Sequence, residues 1–175
     1  MSRTVRWGVL GAASIATQRT MPALKAAPSA TLLALASRDA SKGHAAAQAL
    51  GVPRVHASYD ALLADPEIEA VYVPLPNRLH VEWSVRAMEA GKHVLCEKPL
   101  ALRADDVTVL CAARDRTGRH IEEAFGYRNH PQWAKVAELL AAGAIGAVRS
   151  VHGTLAKQFL DPADWRAGKR LPGEK

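Results

Sequence analysis

The sequence predicts an α/β protein: a doubly wound parallel sheet, followed by the beginning of a second α+β domain. Two observations lead there. Short runs rich in Val, Leu and Ile alternate with longer Ala- and Leu-rich stretches of helical period. The runs are apolar throughout rather than alternating, as strands are when helices cover both faces of their sheet. Strand–helix repetition of this kind implies right-handed crossovers between parallel strands.

Each element follows in order. VRWGVLG (5–11) reads as the first strand, and a helix runs from Ser14 to Ala27. TLLALAS (31–37) is the second strand, and Asp39 caps a helix over 40–50. Tyr59 to Ala64 forms a short helix, and AVYVPL (70–75) is the next strand. Asn77 can cap a helix from Arg78 to Ala90, which Gly91 stops. HVLCE (93–97) is a strand, 103–117 a helix stopped by Gly118, and HIEEAF (120–125) a further strand. The character changes after Phe125. Pro131 to Ala142 is a helix closed by Gly143, and AVRSVHGTLA (147–156) reads as a strand opening a second sheet. A lone strand needs partners, yet 157–175 carry no regular pattern. The expected division is a first domain over 1–125 and an incomplete second one over 126–175.

Composition narrows the classes. Hydrophobic residues make up 49% but aromatics only 5%, so the core falls to Val, Leu, Ile and Ala. No apolar run approaches the roughly 18 residues of a membrane span, and no membrane partner is expected. Cys96 and Cys111 form no CxxC pair, which excludes a disulfide scaffold and a cysteine zinc site and fits a reducing, cytoplasmic setting. The histidines show no HExxH or paired spacing, so no metal site is expected. The net charge of +6 is spread without a basic run. It reads as a solvated surface with an anionic ligand, and no nucleic acid is expected. Glu122 and Glu123 are adjacent in a strand, point to opposite faces and are no acid–base pair. Cys96, Trp7 and Trp83 read as core residues.

The chemistry begins at Gly11-Ala12-Ala13-Ser14-Ile15-Ala16, between the first strand and first helix. This is a variant of G-x-G-x-x-G/A with Ala13 at the second glycine position. Gly11 permits a tight turn, a small residue at 13 lets backbone approach a pyrophosphate, and Ala16 allows close helix–strand packing. The helix N-terminus then faces the anion. The alternative is a tight βα turn of small residues without a ligand. At the end of the second strand, an NAD site usually carries Asp or Glu for the ribose diol. Here Ser37 and Arg38 stand in that place, a hydroxyl and a guanidinium suited to a 2′-phosphate. The cofactor expected is therefore NADP(H) rather than NAD(H), the alternative being a surface arginine in a loop.

Six segments in order resemble the Gfo/Idh/MocA oxidoreductases: RWGVLGAASIA, Ser37-Arg38-Asp39, VPLPNRLH, AGKHVLCEKPL, EAFGYRNHPQW and GAIGAVRSV. Within that family the sequence looks most like the NADP-linked D-xylose and trans-dihydrodiol dehydrogenases. The resemblance implies that Lys98, before a cis proline, lies beside the nicotinamide, orients the substrate hydroxyl and stabilises developing alkoxide. It implies that Glu97 meets the nicotinamide ribose and that Pro74, Asn77 and His80 line the crevice at the neighbouring strand end. His80 read by itself is a helix-surface residue. Arg128, in Tyr127-Arg128, is implied to reach an anion or the substrate, against a structural ion pair. Trp165 and Arg166 are implied to return over the cofactor.

Full-length members carry a second domain with an open antiparallel sheet, and a later D-x-G-x-H or D-x-G-x-Y motif that supplies the proton acceptor. No counterpart of that motif is found before Lys175, so the chain reads as C-terminally truncated. The function expected is hydride transfer between nicotinamide and a sugar or cyclic-diol carbinol. The alternative is a fragment that holds NADP(H) without turnover. Homo-oligomer formation through the incomplete second domain is a further expectation.

Overall fold

A computed structural model describes residues 3–154 and 156. Six parallel strands form one sheet in the order β3-β2-β1-β4-β5-β6. They are β1 (Val5–Leu10), β2 (Ala30–Ala36), β3 (Arg54–His56), β4 (Ala70–Val73), β5 (His93–Glu97) and β6 (Ile121–Ala124). The helices are α1 (Met21–Ala26), α2 (Ala40–Leu50), α3 (Tyr59–Ala64), α4 (His80–Glu89), α5 (Ala104–Thr117) and α6 (Pro131–Ala141). The chain winds outward from β1 through β2 to β3, returns to β4 beside β1, and winds outward again. That reversal is the topological switch point at which such sheets bind ligands.

The strands are apolar because both faces are covered. Leu10, Val71 and Val73 belong to one layer with Leu62, Met88 and Leu110. Their strand neighbours Val9 and Tyr72 belong to the other, with Leu35 and Met21. Successive side chains point to opposite faces, and both directions lead into a core.

Local chemistry sets the helix ends. Asp39 accepts the Lys42 N–H at 2.9 Å and starts α2, and Ser58 accepts the Ala61 N–H at 3.0 Å and starts α3. The expected cap by Asn77 is not formed. Asn77 lies inside a 3₁₀ turn (Asn77–Leu79), and neither that turn nor α4 carries a side-chain cap. The turn itself satisfies a free donor, since the Leu79 N–H reaches the Pro76 carbonyl at 2.8 Å. The first helix also departs from a plain α-helix. A π-helical segment, Ala16–Thr20, precedes α1, and the Met21 N–H donates to the Ala16 carbonyl five residues back. Strand β3 was not expected. Its three residues are too few to show a period, but Asp65 takes both Arg54 Nη1 and His56 Nε2 at 3.1 Å and holds it in place.

The chain divides into two compact units, the first ending at Asn129 and the second beginning at His130. In the second, Pro131 occupies the first turn of α6, and His130 Nδ1 accepts the Gln132 N–H at 3.2 Å. The strand expected over 147–156 is not there: its described residues, 147–154 and 156, adopt no regular structure. An apolar run becomes a strand only when a neighbour pairs with it, and no described segment does so here. Among the described residues, no helix is long and apolar enough to cross a membrane.

Candidate functional site

Register aligns the strand ends into one row. Leu10 pairs with Ala36, Val9 with Tyr72, and Val73 with Cys96. Gly11, Ser37, Pro74 and Glu97 follow those positions and stand side by side at the carboxyl edge of the sheet. The sequence marked each of them separately; the parallel pairing brings them together.

Gly11 turns the chain out of β1. Its N–H donates to the Ala36 carbonyl at 2.7 Å. Its φ is +109°, and a Cβ there would lie 3.1 Å from Leu75 Cδ2. The backbone conformation requires glycine, and the missing side chain leaves a close-walled turn. Gly11 and Ala12 are buried, Ala13 is half-buried, and Ser14 and Ile15 are exposed at the start of the helical stretch. Ala16 is wholly buried and lets that stretch lie against the sheet.

A cleft of about 330 Å³ opens above this turn, lined by Gly11, Ala13, Ser37, Arg38, Lys42 and Pro74 among others. A second cleft of about 320 Å³ shares Ser37 and Arg38 and extends along Tyr59, Leu79 and Trp83. Trp83 packs edge-on to Tyr59 with ring centroids 4.9 Å apart, and the Arg86 guanidinium lies 4.1 Å above its ring. The two clefts share a cationic, hydroxylated shelf at Ser37 and Arg38, with the Gly11 turn on one side and Leu79 and Trp83 on the other.

Three contributors here escaped the sequence reading. Lys42 joins Arg38 because the Asp39 cap fixes the first turn of α2 against the end of β2. Its signal was a second cation one helical turn beyond Arg38. Tyr59 and Trp83 line the slot only through tertiary packing, which no local pattern carries. Asp39 itself, the nearest carboxylate in sequence to Ser37, is engaged as the cap.

At the end of β5 the Lys98–Pro99 peptide is cis, as the family resemblance implies, and Lys98 is exposed. Glu97 is half-buried and held at both oxygens. The Tyr72 hydroxyl donates to Oε1 at 2.6 Å, and the Lys98 N–H donates to Oε2 at 3.3 Å. Burial and the adjacent Glu97 carboxylate push the Tyr72 phenol well above its ordinary range, so it stays a donor. Burial pushes the Cys96 thiol up to about 12, which leaves it an inert apolar side chain.

His80 is not a helix-surface residue. It is fully buried, with Nδ1 2.7 Å from the Pro99 carbonyl and Nε2 2.7 Å from the Leu75 carbonyl. It ties the loop after β4 to the loop after β5. Pro74 is buried in the cleft wall and Asn77 is exposed. Arg128 is exposed in a 3₁₀ turn (Gly126–Asn129), its guanidinium 5.9 Å from the Phe125 ring centroid. Trp165 and Arg166 lie outside the described residues. Glu122 and Glu123 diverge: Glu123 accepts the Leu100 N–H at 2.9 Å, and Glu122 accepts from Asn129 at 3.4 Å.

Residues 5–125 match the model of the GFO_IDH_MocA oxidoreductase family, described as an NAD-binding Rossmann fold. An uncharacterised oxidoreductase of Rhizobium meliloti is 51% identical over 158 residues, which are 90% of this chain and 47% of that protein. The D-xylose 1-dehydrogenase (NADP(+)) 2 of Haloferax volcanii is 42% identical over 158 residues, 90% of this chain and 48% of that one. A 3-ketoreductase from Actinomadura kijaniata, solved with NADP and TDP-benzene, superposes with a TM-score of 0.75 at 40% identity. That match covers 81% of this chain and 43% of the ketoreductase. The chain thus spans about half the length of the curated relatives it matches.

Proposed function

The chain belongs to the Gfo/Idh/MocA oxidoreductase family, and from that premise we propose that it binds NADP(H) along the carboxyl edge of its sheet and serves hydride transfer at a sugar or cyclic-diol carbinol. The observation that carries the cofactor choice is the shelf at the end of β2. Ser37, Arg38 and Lys42 line one cleft there together with Asp39, whose Oδ1 is engaged in capping α2, so donors and positive charge outnumber the single carboxylate. A ribose diol calls for an acceptor at that position, and a 2′-phosphate calls for donors and positive charge.

The residues fit the group along its length. The turn at 11–15 presents a glycine at a φ that side chains rarely adopt, followed by a helix start whose first N–H groups lack intrahelical partners and suit a pyrophosphate. The slot against Tyr59, Leu79 and Trp83 suits the adenine ring. Pro74, Asn77 and Glu97 are assigned to the nicotinamide end, Glu97 as acceptor for its ribose. Arg128 is assigned to the substrate. When bound, the nicotinamide supplies the two-electron acceptor or donor for the hydride. Lys98 donates to the carbinol oxygen, orients it and stabilises the negative charge that develops there. The substrate class is supported by relatives named for D-xylose and for dTDP-linked deoxysugars.

Titration of the purified chain with NADPH and NADH, followed by nucleotide fluorescence, tests this reading. NADPH is expected to bind at least about tenfold more tightly, since a hydrogen bond to a charged group contributes about 1.5–3 kcal/mol. The Ser37→Ala, Arg38→Ala double variant is expected to lose that preference. Equal affinity for the two nucleotides in the unaltered chain would sink the assignment. NADP⁺ reduction in the presence of an aldose or a cyclic diol then separates turnover from binding alone.

A further inference from the structure

Tyr72 sits in β4 beside β1, at the centre of the sheet, with its side chain wholly buried. A phenylalanine would fill the same apolar layer, so the hydroxyl is what needs a reason. It makes two hydrogen bonds. It donates to Glu97 Oε1 at 2.6 Å and accepts from Thr20 Oγ1 at 3.1 Å. Thr20 closes the π-helical segment that follows the turn at 11–15. Thr20, Tyr72 and Glu97 therefore form one directed chain of donors, from the first helix across β4 to the end of β5. Glu97 Oε2 takes the Lys98 N–H, so the carboxylate is fixed at both ends with lone pairs left over.

We propose that Tyr72 is a positioning residue: through Glu97 it sets the nicotinamide end of the dinucleotide cleft, and Thr20 ties that setting to the helix behind the pyrophosphate turn. The inference rests on the NADP(H) reading above. A buried phenol is a stiff, single-geometry donor, and one that burial keeps protonated holds a carboxylate in one place. Without it the partly exposed Glu97 carboxylate keeps only the longer contact from the Lys98 N–H, 3.3 Å at its other oxygen.

The test uses the full 175-residue chain, two ligands and a double-mutant cycle. NADPH spans the whole cleft, whereas 2′,5′-ADP carries the 2′-phosphate but lacks the nicotinamide riboside. Tyr72→Phe is expected to weaken NADPH about tenfold, the scale of one hydrogen bond to a charged group. It is expected to leave 2′,5′-ADP within about twofold. Thr20→Val is expected to act in the same direction and less strongly. In a Glu97→Ala background, Tyr72→Phe is expected to cost nothing further, because the partner it positions is gone. Thermal melts accompany each variant, and Thr20→Val, which leaves the ring in place, keeps the test open if Tyr72→Phe folds poorly. An equal loss for both ligands, or a Tyr72→Phe loss that persists without Glu97, would show a packing role and overturn the inference. Wild-type NADPH binding that Tyr72→Phe and Thr20→Val leave unchanged overturns it alone. A wild-type chain that binds neither ligand overturns the NADP(H) reading and this inference with it.

Discussion

Gly43 shows how a residue with no side chain controls one with chemistry. It lies in α2, where alanine would ordinarily stabilise the helix by about 0.5–1 kcal/mol. Here a Cβ would stand 2.9 Å from the Cβ of Ser37, an atom that no rotamer change can move. Helix and strand end must separate instead. Gly43→Ala is therefore expected to cost about 1–3 kcal/mol by overpacking and to weaken NADPH more than NADH, because Ser37 and Arg38 shift together. Thermal melts and paired titrations check this; a higher melting temperature with the NADPH preference intact would contradict it. What was legible at this scale was local. Gly11, Ala16, Ser37 and Arg38 lie in short motifs whose spacing puts them at one turn and one strand end, where the structure has them. Gly43, Lys42 and Trp83 act across a helix–strand or helix–helix contact, so their roles exist only after packing. His80 lay between the two: the sequence allowed a surface residue or a crevice residue, and burial between two carbonyls excluded the surface.

Elements were legible where the signal was long or capped, and illegible where it depended on a partner. The spans 40–50 and 59–64 coincide with α2 and α3, each started by the side chain of a short polar residue. Asn77 looked equally suited to start α4, but the Pro76 turn satisfied the backbone first. The apolar run at 147–156 has strand composition and no strand among its described residues, since composition cannot supply a neighbour. Strand β3 is the opposite case, too short to read and secured by Asp65. That carboxylate accepts the Glu67 N–H at 2.9 Å and pairs with Arg54 and His56. The Glu67 N–H, with Arg54 beside it, holds the Asp65 carboxyl below its ordinary range. A carboxyl depressed in the folded state contributes stability that is complete above the unfolded value. The contribution is lost as pH falls through the folded one. The melting temperature is expected to decline once pH drops below about 3.9, the ordinary aspartate value. Asp65→Asn is expected to lower stability at neutral pH and to flatten that acid decline. An Asp65→Asn chain with an unchanged acid limb would show that Asp65 does not couple β3 to pH.

At the scale of the whole molecule, the doubly wound sheet and the nucleotide it is built for were legible, and the order of its strands was not. Alternating strands and helices predict parallel pairing, but only the order β3-β2-β1-β4-β5-β6 shows which strand ends meet at the switch point. All six strands and both apolar layers belong to the unit that ends at Asn129. So do the residues assigned to the adenosine half of the cofactor: Gly11 to Ile15, Ser37, Arg38, Lys42 and the Trp83 slot. A chain shortened to residues 1–129 is therefore expected to melt cooperatively and to bind 2′,5′-ADP within about threefold of the longer chain, a difference below 1 kcal/mol. NADPH is expected to behave differently. Trp165 and Arg166, which the family resemblance assigns to the cofactor, are absent from the shorter chain, and its NADPH affinity is expected to fall by more than its 2′,5′-ADP affinity. Calorimetric titration of both chains with both ligands reads each half of the cleft separately. Loss of 2′,5′-ADP binding in 1–129 would mean that the adenosine site needs residues beyond Asn129. Equal NADPH affinity in the two chains would remove Trp165 and Arg166 from the site and leave Glu97, with Tyr72 behind it, holding the nicotinamide end.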